Sequence, residues 1–334
     1  MERWLRDVAA LHVRASSLQS HRYMAKHAIG AFGHKPLADV RPADMQKLYA
    51  SLIASGRATT TVRYVHAVTR KALQDAVEMG LLSSNPADRA KRARVVTKEI
   101  VPPNMAQAQA FLRHVDDDRL RGLWHFIALT GCRRGEALGL RWSDINWDAR
   151  TVTIQRTLTG TGAHRNVQEP KTARSRRTVA LSPVLVEVLR QHRKQQLIER
   201  IAAGPEWQDS GYVFTTQTGE WLDPGAVRKR FKVLCKAAGL PDTTRIHDLR
   251  HSLATTWLAH GVPVQVVAER LGHASIAITL SLYAHVLPNQ QAKAAEEIDA
   301  IMVNGVTTRA WKQGYSIGSV DAPKGRKSLY KAIL

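Results

Sequence analysis

Apolar positions in "ADMQKLYASLIASG" and "TVRYVHAVTRKALQDAVEMGLL" recur at every third or fourth place, which predicts helices throughout residues 1 to about 85. Gly56 and Gly80 stand where those runs should stop. The rhythm breaks at "SSNPADRAKRARVVTKEIVPPN", where Asn-Pro and Pro-Pro sit among Arg89, Lys91, Arg92, Arg94 and Lys98. Residues 86–104 therefore read as a basic linker between two domains. Helical spacing returns from about 105 to 140, then changes period at "TVTIQRTL", where Val152, Ile154 and Leu158 predict a strand. "QEPKTARSRRTVAL" adds two short extended pieces around a basic turn. From Pro183 the helical pattern runs to about 302, closing a second domain of residues 105–302. Residues 303–334 mix Gly, Ser and basic side chains without a period and read as a flexible basic tail. The expected fold is mainly α, with a small antiparallel β-sheet in the second domain.

Charge narrows the class of partner. Lys and Arg number 49 against 28 Asp and Glu, a formal +21, which points to a polyanion. Anionic membrane is the rival surface, but the basic residues are spread over both halves rather than gathered on one amphipathic helix. No segment approaches the ~20 apolar residues of a membrane span. The two cysteines, Cys132 and Cys235, lie far apart in no paired spacing, which suits a reducing cytoplasm and indicates neither a disulfide framework nor a thiolate metal site.

Four short motifs in the second domain carry candidate chemistry. In "TGCRRGEALGLRW", Gly131 is placed to break one helix and Arg133 to start the next, with Glu136 three residues on as the carboxylate a buried guanidinium needs. Lys171 follows Pro170 in the basic turn. In "HDLRHS" a helix would set His247, Arg250 and His251 on one face, with Leu249, Leu253 and Trp257 on an apolar one. "LGHASIAITLSLYAH" holds His273 and Tyr283. Taken singly, an Arg near a Glu is most often a structural ion pair, a lone His a satisfied polar residue, and a Tyr near a helix end a packing residue.

Together and in this order the motifs closely resemble the tyrosine recombinase family, the phage integrases in particular, over residues 1 to about 300. That family carries an Arg in a Thr-Gly-X-Arg turn, a Lys in a β-hairpin, a His-X-X-Arg helix, a His or Trp after Leu-Gly, and a Tyr some ten residues later. The resemblance places Arg133, Lys171, His247, Arg250, His273 and Tyr283 in the catalytic positions, with Glu136 supporting the first Arg. Arg134 is the competing assignment, and the Thr-Gly-X-Arg spacing favours Arg133. "GHKPLADVRPADMQKLYASL" and "ALQDAVEMGLLSSNPA" look like the family's core-binding domain. Many phage integrases begin with a further small domain that grips distant arm sites, whereas here the sequence starts almost at the core-binding region.

The resemblance implies a two-lobed, cytoplasmic and nucleoid-associated DNA strand-exchange enzyme. It would act as a homotetramer on two double-stranded DNA sites of a phage or mobile element, with the amphipathic segment 291–302 as an interaction helix that docks on a neighbouring protomer. It also allows for a directionality factor or a host DNA-bending protein. A tyrosine hydroxyl would attack a phosphodiester, leaving a 3′-phosphotyrosyl link and a free 5′-hydroxyl. With an ordinary pKa of ~10 the hydroxyl is hardly ionised at neutral pH, so it needs help. Arg133 and Arg250 would clamp the non-bridging oxygens, His247 and His273 would donate to them or move the tyrosine's proton, and Lys171 would protonate the departing oxygen. The covalent link stores the phosphodiester's energy, so no cofactor or metal is expected. Linker residues Arg92 and Arg94 and turn residues Arg174, Arg176 and Arg177 are the expected DNA-binding contacts.

Three other readings stay open at this point. A helix-turn-helix regulator would use the rhythm of "VQVVAERLGHASIAITLSLYAH" and leave Arg133 and Lys171 idle. A metallohydrolase on His247, His251 and His273 would have an Arg between its ligands. A topoisomerase would share the tyrosine chemistry without site specificity. The charge itself generates a prediction: if six or more phosphates are neutralised, log Kd for the enzyme's own site should change with log salt at a slope of about 5 or steeper in magnitude. A slope near 1, measured by titration at several salt concentrations, would contradict a basic clamp closed on DNA.

Overall fold

The computed structural model describes residues 1–91, 102–160, 166–168 and 176–283, with positions 295, 298 and 302 beyond them. It is mainly helical with small antiparallel sheets, as the residue pattern predicts. The chain forms two compact units, residues 1–253 with 270–274 and residues 254–269 with 275–334.

The N-terminal part of the first unit opens with α1 (Glu2–Trp4), a π-wound turn (Leu5–Ala9) and α2 (Ala10–His12). Three longer helices follow, α3 (Ala15–Phe32), α4 (Pro42–Ala54) and α5 (Thr59–Glu78). Pro42 starts α4 where its missing N–H costs nothing, and Asp44 accepts the Arg41 N–H at 3.0 Å. Gly56 and Gly80 end α4 and α5 with φ of 76° and 72°, and the next residues fold back to donate to Leu52 and Ala76 carbonyls. α5 buries two stripes. Val62, Val65 and Leu73 join Met45, Leu48 and Tyr49 in one core, while Val68 and Ala72 join Trp4, Leu5 and Ala25 in another. The first core extends to Ala87 and Ala90, around the short turn Pro86–Arg89.

A separate core begins with α6 (Met105–His114), α7 (Arg121–Thr130) and α8 (Arg134–Leu138). Phe111, Trp124, Phe126, Phe214 and Phe231 are its largest fully buried side chains. Strands β1 (Ile145–Asn146), β2 (Thr151–Ile154) and β5 (Arg177–Ala180) form one antiparallel sheet in the order β1-β2-β5. β3 (Thr157–Thr159) pairs with β4 (Asn166–Gln168). Val152 and Ile154 point inward from β2, and the register sets Ile154 opposite Arg177.

α9 (Pro183–Ala203) and α10 (Pro224–Ala237) follow. The helical pattern expected from Pro183 onward is interrupted between them. Residues 207–223 are irregular, held by bridges Arg141↔Tyr212 and Thr215↔Trp221. Gly211 and Gly219 take positive φ there, and the apolar run they flank buries Tyr212, Val213 and Phe214. α11 (Ile246–Ala259), α12 (Val264–Leu271) and α13 (Ile276–Tyr283) complete the described helices. Among the described residues no helix is long and apolar enough to cross a membrane.

Candidate active site

The site is built from the end of α7. Gly131 closes that helix at φ 67°, a conformation that favours glycine, and a Cβ there would stand 2.7 Å from Leu271 Cδ2. The turn delivers Arg133 as the N-cap of α8, where Glu136 accepts the Arg133 backbone N–H (2.8 Å) and its Nη1 (2.8 Å). Glu136 also accepts from Arg177 Nη2 at 2.8 Å. The carboxylate is only 5% exposed. Burial pushes its pKa up, but the bond and charge of Arg177, reinforced by Arg133, outweigh that and hold it below the usual carboxylate range. Arg133 keeps 42% of its side chain exposed, so it is fixed at one end and open to an anion. Arg134, its rival, bonds the Pro224 carbonyl instead (3.2 Å).

α11 places Arg250 differently from a cation on a solvent face. Asp248, N-terminal in the helix and buried, accepts the Arg245 N–H at 2.8 Å, and Ser252 donates to the Pro103 carbonyl at 2.6 Å, so the polar side of α11 is drawn inward along with Leu249. Arg250 is 1% exposed and donates to the carbonyls of Gly131 (2.6 Å) and Leu271 (2.7 Å). Arg133 Nη2 approaches the next carbonyl, Gly272, at 3.4 Å, and Arg177 Nε donates to the preceding one, Arg270, at 2.7 Å. Three guanidiniums thus meet three successive carbonyls where α12 ends, just before His273. His247 and His251 meet edge to face with centroids 4.9 Å apart.

The electrostatics follow from burial beside this crowd of cations. Burial first, then the charges of neighbouring His251, Arg250 and Arg133, bring His247 down to about 4. Burial, Arg250 and Arg133 do the same to His273. Both imidazoles are neutral at pH 7, each with one N–H to donate and one nitrogen to accept.

Arg133, Glu136, His247, Arg250 and His273 therefore share the first unit and one cluster. Tyr283 belongs to the second unit, where it is buried at the end of α13. Lys171, Arg92, Arg94 and Arg174 lie outside the described residues, as do the 303–334 tail and most of 291–302. Arg176 is exposed. Arg177 corrects the grouping of the basic turn: its side chain is 4% exposed and bonded to Glu136, so it is an interior cation rather than a surface contact for DNA. Alternation along β5 carries the signal for this, since Arg177 shares its face with buried Val179 while Thr178 and Ala180 face out. Among the described residues no group of three or more His, Cys, Asp or Glu side chains is arranged to hold a metal ion.

The sequence profile of the phage integrase family matches residues 102–290, more than half of the chain, and that of the phage integrase N-terminal SAM-like domain matches residues 1–53. The chain belongs to the phage integrase family. It is a tyrosine-type site-specific recombinase, which cleaves and rejoins DNA strands. A "Tyrosine recombinase XerC-like" protein of Caldanaerobacter subterraneus subsp. tengcongensis is 28% identical over 91% of this chain and 82% of its own length. The fold is similar to that of the Tn1549 transposon integrase in complex with a circular intermediate DNA, with a TM-score of 0.72, 21% identity, and 86% and 94% of the two chains covered. It is also similar to a lambda integrase tetramer bound to a Holliday junction, with a TM-score of 0.64, 17% identity, and 84% and 75% covered.

For this integrase the histidines generate a pH prediction. Above their ordinary pKa of 6.5, neither folded nor unfolded chain binds the proton. As pH falls from 6.5 toward about 4, the unfolded chain takes up protons that the folded site refuses, so stability falls across that window. NMR titration of the DNA-free enzyme should give His247 and His273 midpoints near 4, with urea midpoints dropping between pH 6.5 and 4. Midpoints near 6.5 would mean the rings are neither buried nor surrounded by cations as described.

Proposed function

We propose that Tyr283 is the nucleophile and that Arg133 and Arg250 hold the two non-bridging oxygens of the scissile phosphate. The observation that carries this reading is the convergence of both guanidiniums on the adjacent Leu271 and Gly272 carbonyls, beside His273. Two forks of positive charge stabilise the charge that develops on those oxygens during attack. The Tyr283 oxygen bonds phosphorus as the 5′-oxygen leaves. A neutral His247 or His273 takes the phenolic proton, and Lys171 gives one to the 5′-oxygen. Reversal onto a different 5′-hydroxyl rejoins the strand and returns the tyrosine.

In this reading residues 1–85 and 105–302 are the two lobes of a clamp on double-stranded DNA, with Arg92, Arg94, Arg174 and Arg176 along its backbone. The +21 charge supports that placement. Four copies work on two duplexes in the cytoplasm, at the nucleoid, to integrate or excise a phage or mobile element. The relatives support this: the solved ones hold a circular intermediate DNA or, as a tetramer, a Holliday junction. The segment 291–302 docks on a neighbouring protomer in that assembly, and a directionality factor or a host DNA-bending protein biases it.

Tyr283→Phe removes one oxygen, so site binding should persist while the covalent complex vanishes. Arg133→Ala should lower cleavage by about 10²–10³ and leave a trace. Arg250→Ala would also strip two buried carbonyls of their donor, so its unfolding midpoint must be measured beside its activity. Peptide mapping of DNA trapped on the enzyme checks the nucleophile. A phosphotyrosyl link at Tyr212, Tyr315 or Tyr330 would refute this assignment.

A further inference from the structure

Arg177 takes no part in the chemistry above, yet it is one of the two buried arginines among the described residues. It opens β5, where pairing with Ile154 fixes its backbone and strand alternation turns it inward. From there Nη2 reaches Glu136 and Nε reaches the Arg270 carbonyl. The first bond ends on the carboxylate that orients Arg133. The second ends on the last turn of α12, three residues before His273. Gly272 is what admits the guanidinium, since at φ 67° a Cβ would come within 2.8 Å of Arg177 Nη1. The strand, the start of α8 and the His273 turn therefore meet on one planar group.

We propose that Arg177 is a positioning residue for strand cleavage, whose fork holds Glu136, and through it Arg133, in register with the turn that presents His273. The inference rests on the roles given above to Arg133 and His273. Charge adds to the geometry. Arg133 and Glu136 alone would make a neutral pair. A second guanidinium on the same carboxylate leaves the trio cationic, which favours an incoming phosphate. Lysine cannot replace it, because a single ammonium lacks the fixed fork that reaches both partners.

Arg177→Lys keeps the charge beside Glu136 and removes the fork. In the full-length enzyme we expect site binding as in the wild type, covalent-complex formation on a nicked site down about 100-fold, and a His273 midpoint that climbs from about 4 toward 6.5 as its turn loses its burial and leaves the cations. Should that variant not fold, Arg177→Met combined with Glu136→Gln replaces the buried pair with neutral groups of similar volume, a change that cores tolerate. The same loss of cleavage with retained binding is expected there. Wild-type cleavage by either variant overturns the proposal, as does slowed cleavage by the lysine variant with His273 still titrating near 4, the result of a purely structural role. Arg133→Ala run alongside separates the two layers: wild-type cleavage by that variant removes the site reading itself.

Discussion

A carboxylate taken out of water must be neutralised where it stands, and Glu136 is neutralised from two sides. Arg133 bonds one oxygen from the surface, while Arg177 bonds the other from the interior. The Arg133 backbone N–H closes the ring, so the first turn of α8 and the direction of its N-cap side chain are set by the same anion. Removing either guanidinium would leave a buried charge half matched, which is why the geometry is stiff. The exposed end of Arg133 inherits that stiffness. In the proposed reading this preset cation meets a phosphate that gains charge only during attack.

The end of α12 is the second fixed point. Helix C-termini leave carbonyls without partners and carry a partial negative charge. Here Arg270, Leu271 and Gly272 offer theirs to Arg177, Arg250 and Arg133 in turn. Three cations that would repel one another are held together by backbone oxygens, and the imidazoles beside them are kept neutral by burial first and by those charges second. Two glycines make this close approach feasible. At Gly131 a side chain would strike Leu271, and at Gly272 it would strike Arg177.

Local chemistry was legible in the sequence. Gly131 as a stop, Arg133 as a start and Glu136 as its partner follow from spacing alone, and each stands where the structure puts it. The stops at Gly56 and Gly80 and the strand through Val152 and Ile154 were equally readable. Long-range burial was not. Arg250 looked like a cation on an open helix face, because nothing local announces that carbonyls of Gly131 and Leu271, distant in sequence, will enclose it. Arg177 stands in a run of basic residues whose composition suggests a surface, although the period of two places it with Val179. The irregular stretch before α10 is hidden in the sequence because its apolar run fits a helix or a buried extended segment equally well until Gly211 and Gly219 are weighed.

Glu136→Gln is the most direct probe of this arrangement. Glutamine keeps the shape, loses the charge, and turns an amide donor toward one of two guanidiniums that need an acceptor. The decisive quantity is the single-turnover rate of covalent-complex formation at saturating enzyme on a nicked site, measured with site affinity. A doubly bonded Glu136 that presets Arg133 predicts retained affinity and a rate about 100-fold lower. A wild-type rate in the glutamine variant, or a loss confined to affinity, would contradict it.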